Sequence, residues 1–153
     1  MARELWLLRH GQAEPHGSGP DADRRLTERG EREARAAGAG LCELRVVPDV
    51  IFASPRVRAR ETARLAGAEL GIEPVEHGPL SGGFSADEAL ALAHGHEVVL
   101  LVGHQPDFGL IVHELTGART ELSTGGVAGI RLDEGGVLLA LLRARALRKI
   151  GGG

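Results

Sequence analysis

The chain contains few of the residues on which several common classes of protein depend. Its single cysteine, Cys42, excludes an internal disulfide and a cysteine-based zinc site in a chain of 153 residues. Cys42 falls in a helical pattern, which predicts a buried or half-buried structural role for its thiol. Aromatic residues make up only 3% of the chain, tyrosine is absent, and Lys149 is the only lysine. The core must therefore be built mainly from leucine, valine and alanine.

Long apolar runs and an excess of positive charge are also missing. No run approaches the roughly 18 apolar residues that indicate a membrane span. The N-terminus lacks a basic region followed by a long apolar stretch, so we expect a cytoplasmic protein without a membrane partner. With a net charge of −3 and few aromatic residues, the chain lacks the basic excess and the stacking side chains that indicate nucleic-acid binding.

Length and composition predict a single folded domain. A hydrophobic content of 42% is enough for a core, and 153 residues fit one domain, which we assign to residues 1–150. Residues 151–153 are glycines, and we expect them to form a disordered tail. We expect the protein to be a monomer.

Strand and helix patterns alternate along the chain. Short apolar runs predict strands at 5–8, 48–53, 73–77 and 97–102, and a hairpin of strands at 127–132 and 137–142. Periodicity and capping residues predict helices at 28–45, 55–70, 85–94 and 107–115, and a loop at 12–25. The alternation predicts an α/β fold, a three-layer sandwich with a mainly parallel sheet flanked by helices.

Basic residues follow two of the predicted strands directly. Arg9 and His10 come after the first strand, and His104 comes after the strand at 97–102. Ligands of open α/β sheets bind at the carboxyl ends of the strands, so these residues are candidates for one shared anion site. The alternative is ordinary surface charge at the ends of strands.

Three arginines open the helix predicted at 55–70. Ser54 is a suitable N-cap and Pro55 suits the first helical position, so Arg56, Arg58 and Arg60 fall in the first turns. Cations at the positive end of a helix are unfavourable unless an anionic ligand offsets them. A surface helix with scattered arginines is the alternative.

Four short motifs occur in a fixed order in the first two thirds of the chain. They are Arg9-His10-Gly11, the Leu-Thr helix entry at 26–34, the segment from Ser54 to Ala63, and Gly103-His104. Together they resemble the histidine phosphatase superfamily, also called the phosphoglycerate mutase-like or RHG family. The short length and the start of the chain are most similar to the SixA-type phosphohistidine phosphatases. The resemblance implies a phosphoglycerate mutase-like fold.

The resemblance also implies roles for the basic residues. It makes His10 the nucleophile, which forms a transient phosphohistidine that water hydrolyses. Arg9 and Arg58 match the phosphate-binding arginines of the family, and His104 matches its second histidine, which holds the phosphate and stabilises developing charge. No metal or other cofactor is implied, because these side chains supply the positive charge.

Two further residues are candidates for substrate binding. Arg24 precedes the Leu-Thr motif, where many relatives carry an arginine, and we expect it at the pocket rim; a solvated loop is the alternative. Gln105 follows the second histidine and is a candidate donor to phosphate; helix capping is the alternative.

One position departs from the family pattern. Larger members place a glutamate, their general acid, where this chain has Gly82. Imidazole is a better leaving group than an alkoxide, so phosphohistidine needs this acid less than a phosphate ester does. The glycine therefore favours the SixA-like interpretation, with Glu14 and Asp23 as candidate substitutes for the acid.

These observations leave three hypotheses about function. The first is a phosphohistidine phosphatase acting on a phosphorylated protein, for example a His-containing phosphotransfer protein. The second is a phosphatase of small phosphate esters within the same superfamily. The third, from another class, is a non-catalytic binder of phosphate or phosphopeptides, which would not need the nucleophile His10.

Overall fold

A mixed sheet forms the centre of the molecule. The structure is a computed structural model that describes residues 2–152. Within those residues, six strands form one sheet in the order β3-β2-β4-β1-β5-β6. The strands are β1 (Glu4–Arg9), β2 (Val50–Ala53), β3 (Val75–Glu76), β4 (Val98–Gly103), β5 (Val127–Arg131) and β6 (Val137–Leu142). The first four are parallel, whereas β5 runs antiparallel to β1, and β6 runs antiparallel to β5.

Helices cover both faces of this sheet. In the described part of the chain they are α1 (Glu28–Glu43), α2 (Val57–Leu70), α3 (Ala86–Ala93), α4 (Asp107–Thr116) and α5 (Ala144–Ile150). Leu5 and Leu7 of β1 pack in a core with α3 and α4. Trp6 and Leu8 of the same strand pack in a second core with α1, α2 and α5. The predicted three-layer α/β sandwich is confirmed.

Local sequence signals explain most of the helix ends. The Thr27 hydroxyl accepts a hydrogen bond from the Gly30 N–H at 3.1 Å and caps α1. Ser85 and Glu88 form the capping box that begins α3. Gly71 ends α2 with a left-handed φ of 73°, a conformation that favours glycine.

Two expectations about local structure were wrong, and one helix was not predicted. Ser54 is not the N-cap of α2, because the helix begins at Val57 and Arg56 holds the cap position. Cys42 is exposed, because it lies on the outer face of α1 while its neighbour Leu41 is buried. The helix α5 was not predicted, since Leu147 is the only buried residue among its seven and gives no periodic signal.

The end of the chain continues from α5. The Gly151 N–H donates to the Leu147 carbonyl at 2.9 Å, and the Gly152 N–H donates to the Lys149 carbonyl at 3.3 Å. Gly153, the last residue of the tail expected at 151–153, lies outside the described residues. Across residues 2–152, no helix has both the length and the apolar character required to cross a bilayer.

The carboxyl ends of three parallel strands lie side by side. Arg9 pairs with Gly103 at the end of the β1–β4 ladder, and Ala53 pairs with Val102 in the β2–β4 ladder. The residues that follow these strands therefore meet at one edge of the sheet. They include His10, Ser54 and His104.

The first turn of α1 packs against the loop that follows β1. The Thr27 N–H donates to the Gln12 carbonyl at 3.0 Å. A Cβ at Gly11 would overlap the Gly30 carbonyl, and a Cβ at Gly30 would overlap the Gln12 carbonyl. The two backbones approach this closely only because neither residue carries a side chain.

We expect the Gly30→Ala substitution to lower the free energy of unfolding. Helix propensity alone would favour alanine by about 1 kcal/mol, but forcing a methyl group into this contact should cost about 1–3 kcal/mol. Urea unfolding would measure the change. Gly78→Ala is the control, since a Cβ at Gly78 would meet no heavy atom within 4 Å. A Gly30→Ala protein as stable as the wild type would contradict the close approach.

Candidate active site

The loop after β1 holds the His10 side chain in one defined state. Its Nδ1 atom lies 2.7 Å from the Gly11 carbonyl oxygen. Because a carbonyl oxygen can only accept, Nδ1 carries the proton and Nε2 keeps its lone pair. Arg58 Nε lies 3.4 Å from that Nε2 atom and donates to it. His10 therefore presents an unprotonated ring nitrogen beside a guanidinium group.

Thr62 connects the same loop to α2. Its hydroxyl accepts a hydrogen bond from the Gly11 N–H at 3.0 Å. It donates in turn to the Arg58 carbonyl at 2.7 Å. Thr62 follows Arg58 by four residues in the motif because its one buried hydroxyl fixes α2 against the loop that follows β1.

Burial keeps His10 uncharged. Desolvation lowers the pKa of His10 to about 4, against the opposing effect of its hydrogen bond to Gly11. The positive charges of Arg58, Arg9 and Arg24 contribute to the same lowering of the pKa. At neutral pH the ring is therefore a neutral base and a competent nucleophile.

His104 lies directly beside His10. The two ring centroids are 5.3 Å apart, and His104 Nε2 lies 2.8 Å from the Ser54 hydroxyl. Burial lowers the pKa of His104 to about 3, and the neighbouring His10 and Arg58 add to the effect. Its Nδ1 atom is buried and has no hydrogen-bond partner among residues 2–152. Buried polar atoms without a partner are uncommon in folded proteins.

The structure brings the four central predicted residues together. Arg9 is half-buried, and its guanidinium donates to the Leu122 carbonyl at 2.8 Å. Arg9 Nε is buried and has no hydrogen-bond partner within residues 2–152. Arg58 is buried, whereas Arg60 on the same helix is exposed. His10, Arg58 and His104 thus lie together at the strand ends, and the charge of Arg9 also acts on the His10 ring.

Arg24 and Gln105 have different surroundings. Arg24 is buried rather than solvated, and it donates to the Glu14 carbonyl at 2.7 Å. The Gln105 carboxamide oxygen accepts from the Gly109 N–H at 2.8 Å, which is the capping alternative. That bond holds Gln105 against α4, and a phosphate-binding role for it stays a prediction.

Asp21 is the residue at this site that the sequence analysis missed. It lies in a short 3₁₀ turn, Asp21–Asp23, of the loop between β1 and α1. Its carboxylate binds Arg24 at 2.9 Å, Arg58 at 3.2 Å, and Arg56. Arg56 also donates to the Ser81 carbonyl at 2.8 Å, so its guanidinium closes the rim of the site. In the sequence, the spacing of three residues from Asp21 to Arg24 was the only local indication of this contact.

The arginines keep the Asp21 carboxylate ionised. Burial acts to raise the pKa of Asp21, but hydrogen bonds and charges from Arg24 and Arg58 outweigh it and lower the pKa. Asp21 is therefore a poor proton donor in this arrangement. Of the acids named from the sequence, Glu14 accepts a hydrogen bond from the Arg25 N–H, and Asp23 is exposed.

The family follows from the part of the chain that builds this site. The family model of the histidine phosphatase superfamily, branch 1, matches residues 5–81. This range includes His10, Arg58 and the elements between them. The chain belongs to this superfamily. Membership supports phosphatase activity, and the arrangement of two neutral histidines among arginines is consistent with phosphoryl chemistry.

Individual relatives agree with this assignment. An uncharacterized protein of Picosynechococcus sp. is 36% identical over 139 residues, covering 84% of each chain. The mitochondrial serine/threonine-protein phosphatase Pgam5 of Drosophila persimilis is 42% identical over 72 residues, which is 47% of this chain but 25% of that protein. The crystal structure of the putative phosphohistidine phosphatase SixA from Agrobacterium tumefaciens superimposes with a TM-score of 0.82 at 25% identity, covering 93% of this chain and 98% of that one. The phosphoglycerate mutase-like, SixA-like fold is confirmed.

The Asp21 carboxylate should compete with phosphate for the arginines. We expect Asp21→Asn to bind inorganic phosphate more tightly than the wild type, by roughly threefold to tenfold, because a neutral amide binds guanidinium groups less strongly than a carboxylate. The measurement is the inhibition constant of phosphate against an aryl phosphate substrate. Asp23→Asn is the matched control, since it removes one charge from the same turn at a carboxylate that forms no ion pair within residues 2–152. Weaker phosphate binding in Asp21→Asn would contradict the competition.

The stability of the protein should fall as the pH is lowered from the unfolded-state pKa of His10 to its folded-state pKa. Its pKa is about 4 in the folded state against 6.5 for a free side chain, so between these values the unfolded chain binds the extra proton. Unfolding free energy should therefore decrease as the pH falls from about 6.5 to about 4. Urea unfolding of His10→Gln should depend less on pH than the wild type. The exposed His94→Gln variant is the control for the loss of one histidine, and an unchanged slope in His10→Gln would argue against a depressed pKa.

Proposed function

We propose that the protein is a metal-independent phosphohistidine phosphatase that works through a covalent intermediate on His10. The observation that carries the proposal is the state of the His10 ring. Its Nδ1–H is engaged by the Gly11 carbonyl at 2.7 Å, and its Nε2 lone pair lies 3.4 Å from the Arg58 guanidinium. A phosphoryl group held by that guanidinium would lie next to an unprotonated nitrogen.

The proposed reaction has two displacement steps at phosphorus. His10 Nε2 attacks, the bond from phosphorus to the substrate imidazole breaks, and its electron pair leaves with that imidazole, which takes a proton from solvent. Water then attacks the phosphoryl group on Nε2 and releases a proton to solvent, the P–N bond breaks, and its electrons return to the ring as phosphate leaves. The Gly11 carbonyl stabilises the positive charge on the phosphorylated ring through Nδ1–H.

Charge stabilisation is assigned to the surrounding cations and to His104. Arg9 and Arg58 are suited to hold the non-bridging phosphate oxygens, because guanidinium groups stay charged and bind two oxygens at once. The neutral ring of His104, with its centroid 5.3 Å from that of His10, is assigned to contact the phosphoryl group as its charge develops. These side chains supply the electrostatic role that Mg²⁺ has in many other phosphoryl transfers.

The leaving group favours phosphohistidine as the substrate. Gly82 has no side chain to protonate an alkoxide, and Asp21 is held in its ionised form by the arginines. Imidazole needs less protonation to leave than an alkoxide does. The similarity to the SixA structure supports the same substrate, which we propose is carried on a phosphorylated protein such as a His-containing phosphotransfer protein.

Hydrolysis of phosphate esters is the second candidate function. The similarity to Pgam5, a protein described as a serine/threonine-protein phosphatase, favours this function. An ester substrate would require a proton donor that replaces the missing glutamate. Binding of phosphate without turnover is the candidate from another class.

A substrate panel, applied to wild type and His10→Ala after EDTA treatment, separates these functions. We expect kcat/KM to be highest for a phosphohistidine protein, lower for an aryl phosphate and lowest for 3-phosphoglycerate. His10→Ala should lose at least about a thousandfold, which corresponds to roughly 4 kcal/mol of barrier. Acid-labile, alkali-stable phosphate should be trapped on the wild type and absent from the variant.

His94→Ala, at an exposed position, is the control for this panel and should keep wild-type rates. A preference for 3-phosphoglycerate would contradict the substrate but not the phosphatase. A folded His10→Ala protein with near-normal activity would contradict the covalent mechanism. Phosphate binding with no turnover of any substrate would leave the non-catalytic binder as the function.

A further inference from the structure

A basic groove lies between α1 and α5, outside the site described above. It encloses about 280 Å³, and its walls are the side chains of Arg29 and Arg32 from α1 and of Arg145 and Arg148 from α5. All four arginines are exposed along the groove. We call this feature the arginine groove.

The positive charge of the arginine groove is largely uncompensated, although the whole chain carries a net charge of −3. Within residues 2–152, Arg32, Arg145 and Arg148 form no ion pair, and Arg29 lies 3.6 Å from Glu33, the one carboxylate in the groove. Glu33 is buried, and its two oxygens already accept hydrogen bonds from the Gln12 N–H and the Thr124 hydroxyl. Four guanidinium groups therefore face the solvent with a single, already occupied carboxylate between them.

The arginine groove opens at the edge of the sheet that carries His10. Arg29 and Arg32 lie in the first turns of α1, which begins beside the loop that follows β1. Because β6 runs parallel to β1, α5 starts at the same edge. Gly125 contacts both regions. Its N–H donates to the His10 carbonyl at 3.1 Å, and a Cβ there would lie 2.7 Å from Glu33 Cβ.

We infer that the arginine groove docks an acidic segment of the protein substrate while the phosphorylated side chain occupies the active site. This inference rests on the proposed function, since it names the chemistry of the partner. Guanidinium groups bind carboxylates with two parallel hydrogen bonds, and unpaired cations beside a site attract an acidic partner and raise its association rate.

The shape of the groove favours a protein segment over a small polyanion. Its four arginines are spread over two helices and are exposed, so they match a row of carboxylates on a surface. A small polyanion would be bound more tightly by an enclosed pocket with buried polar partners. Fixed charges that steer a partner change KM and the salt dependence of the reaction rather than kcat.

The test uses two phosphohistidine peptides that differ only in their flanks, one rich in glutamate and one with glutamine at the same positions. At low salt we expect kcat/KM of the wild type to be about tenfold higher for the acidic peptide, through KM. The Arg145→Glu/Arg148→Glu variant should lose this preference and keep its kcat and its rate on an aryl phosphate. Arg3→Glu/Arg64→Glu, which changes net charge equally at exposed positions elsewhere, should behave as the wild type.

Binding of the unphosphorylated acidic peptide, measured by fluorescence anisotropy, separates this inference from the proposed function. Binding to the wild type but not to the groove variant would support the groove even if phosphohistidine is not hydrolysed. Equal binding or equal kcat/KM in the groove and control variants would overturn the inference. Tighter groove-dependent binding of inorganic tripolyphosphate than of the peptide would also overturn it, in favour of a small polyanion site.

Discussion

The parallel pairing of β1 with β4 is the constraint on which the functional site depends. It aligns Leu7 with Leu101 and Arg9 with Gly103, and it continues in the hydrogen bond from the His10 N–H to the Gly103 carbonyl at 3.1 Å. A slip of one residue would turn the side chains of β1 to the wrong faces of a sheet that is buried on both sides. The two cores therefore fix the register, and the register fixes the distance between His10 and His104.

The charged side chains of the site place several arginines close together while both histidines stay neutral. The arginines contribute to the low pKa of both rings, and their own repulsion is relieved by the Asp21 carboxylate. The same burial that excludes water from the rings strengthens every interaction with an entering phosphate. A site built in this way has positive charge from side chains beside two rings that are neutral at neutral pH.

The sequence predicts the parts of the structure that depend on local patterns. Apolar runs locate β1 and β4, and the hydroxyls of Thr27 and Ser85 mark the starts of helices. The motifs that follow the strands predict that His10, Arg58 and His104 lie at one edge of the sheet. Asp21 could not be found in this way, because its role arises only when the loop folds onto the first turn of α2. Ser54 was misassigned for a related reason, since its hydroxyl binds both the Arg56 N–H and the His104 ring.

The exposed Cys42 has a practical consequence. It is the only thiol in the chain, so a maleimide dye can be attached at one defined position without any substitution. It lies near the end of α1 opposite to Arg29, and with a rise of about 1.5 Å per residue the two are about 20 Å apart along the helix. That separation suits energy transfer to an acceptor on a bound molecule. The wild-type chain is therefore already a single-site reporter of what approaches the first turn of α1.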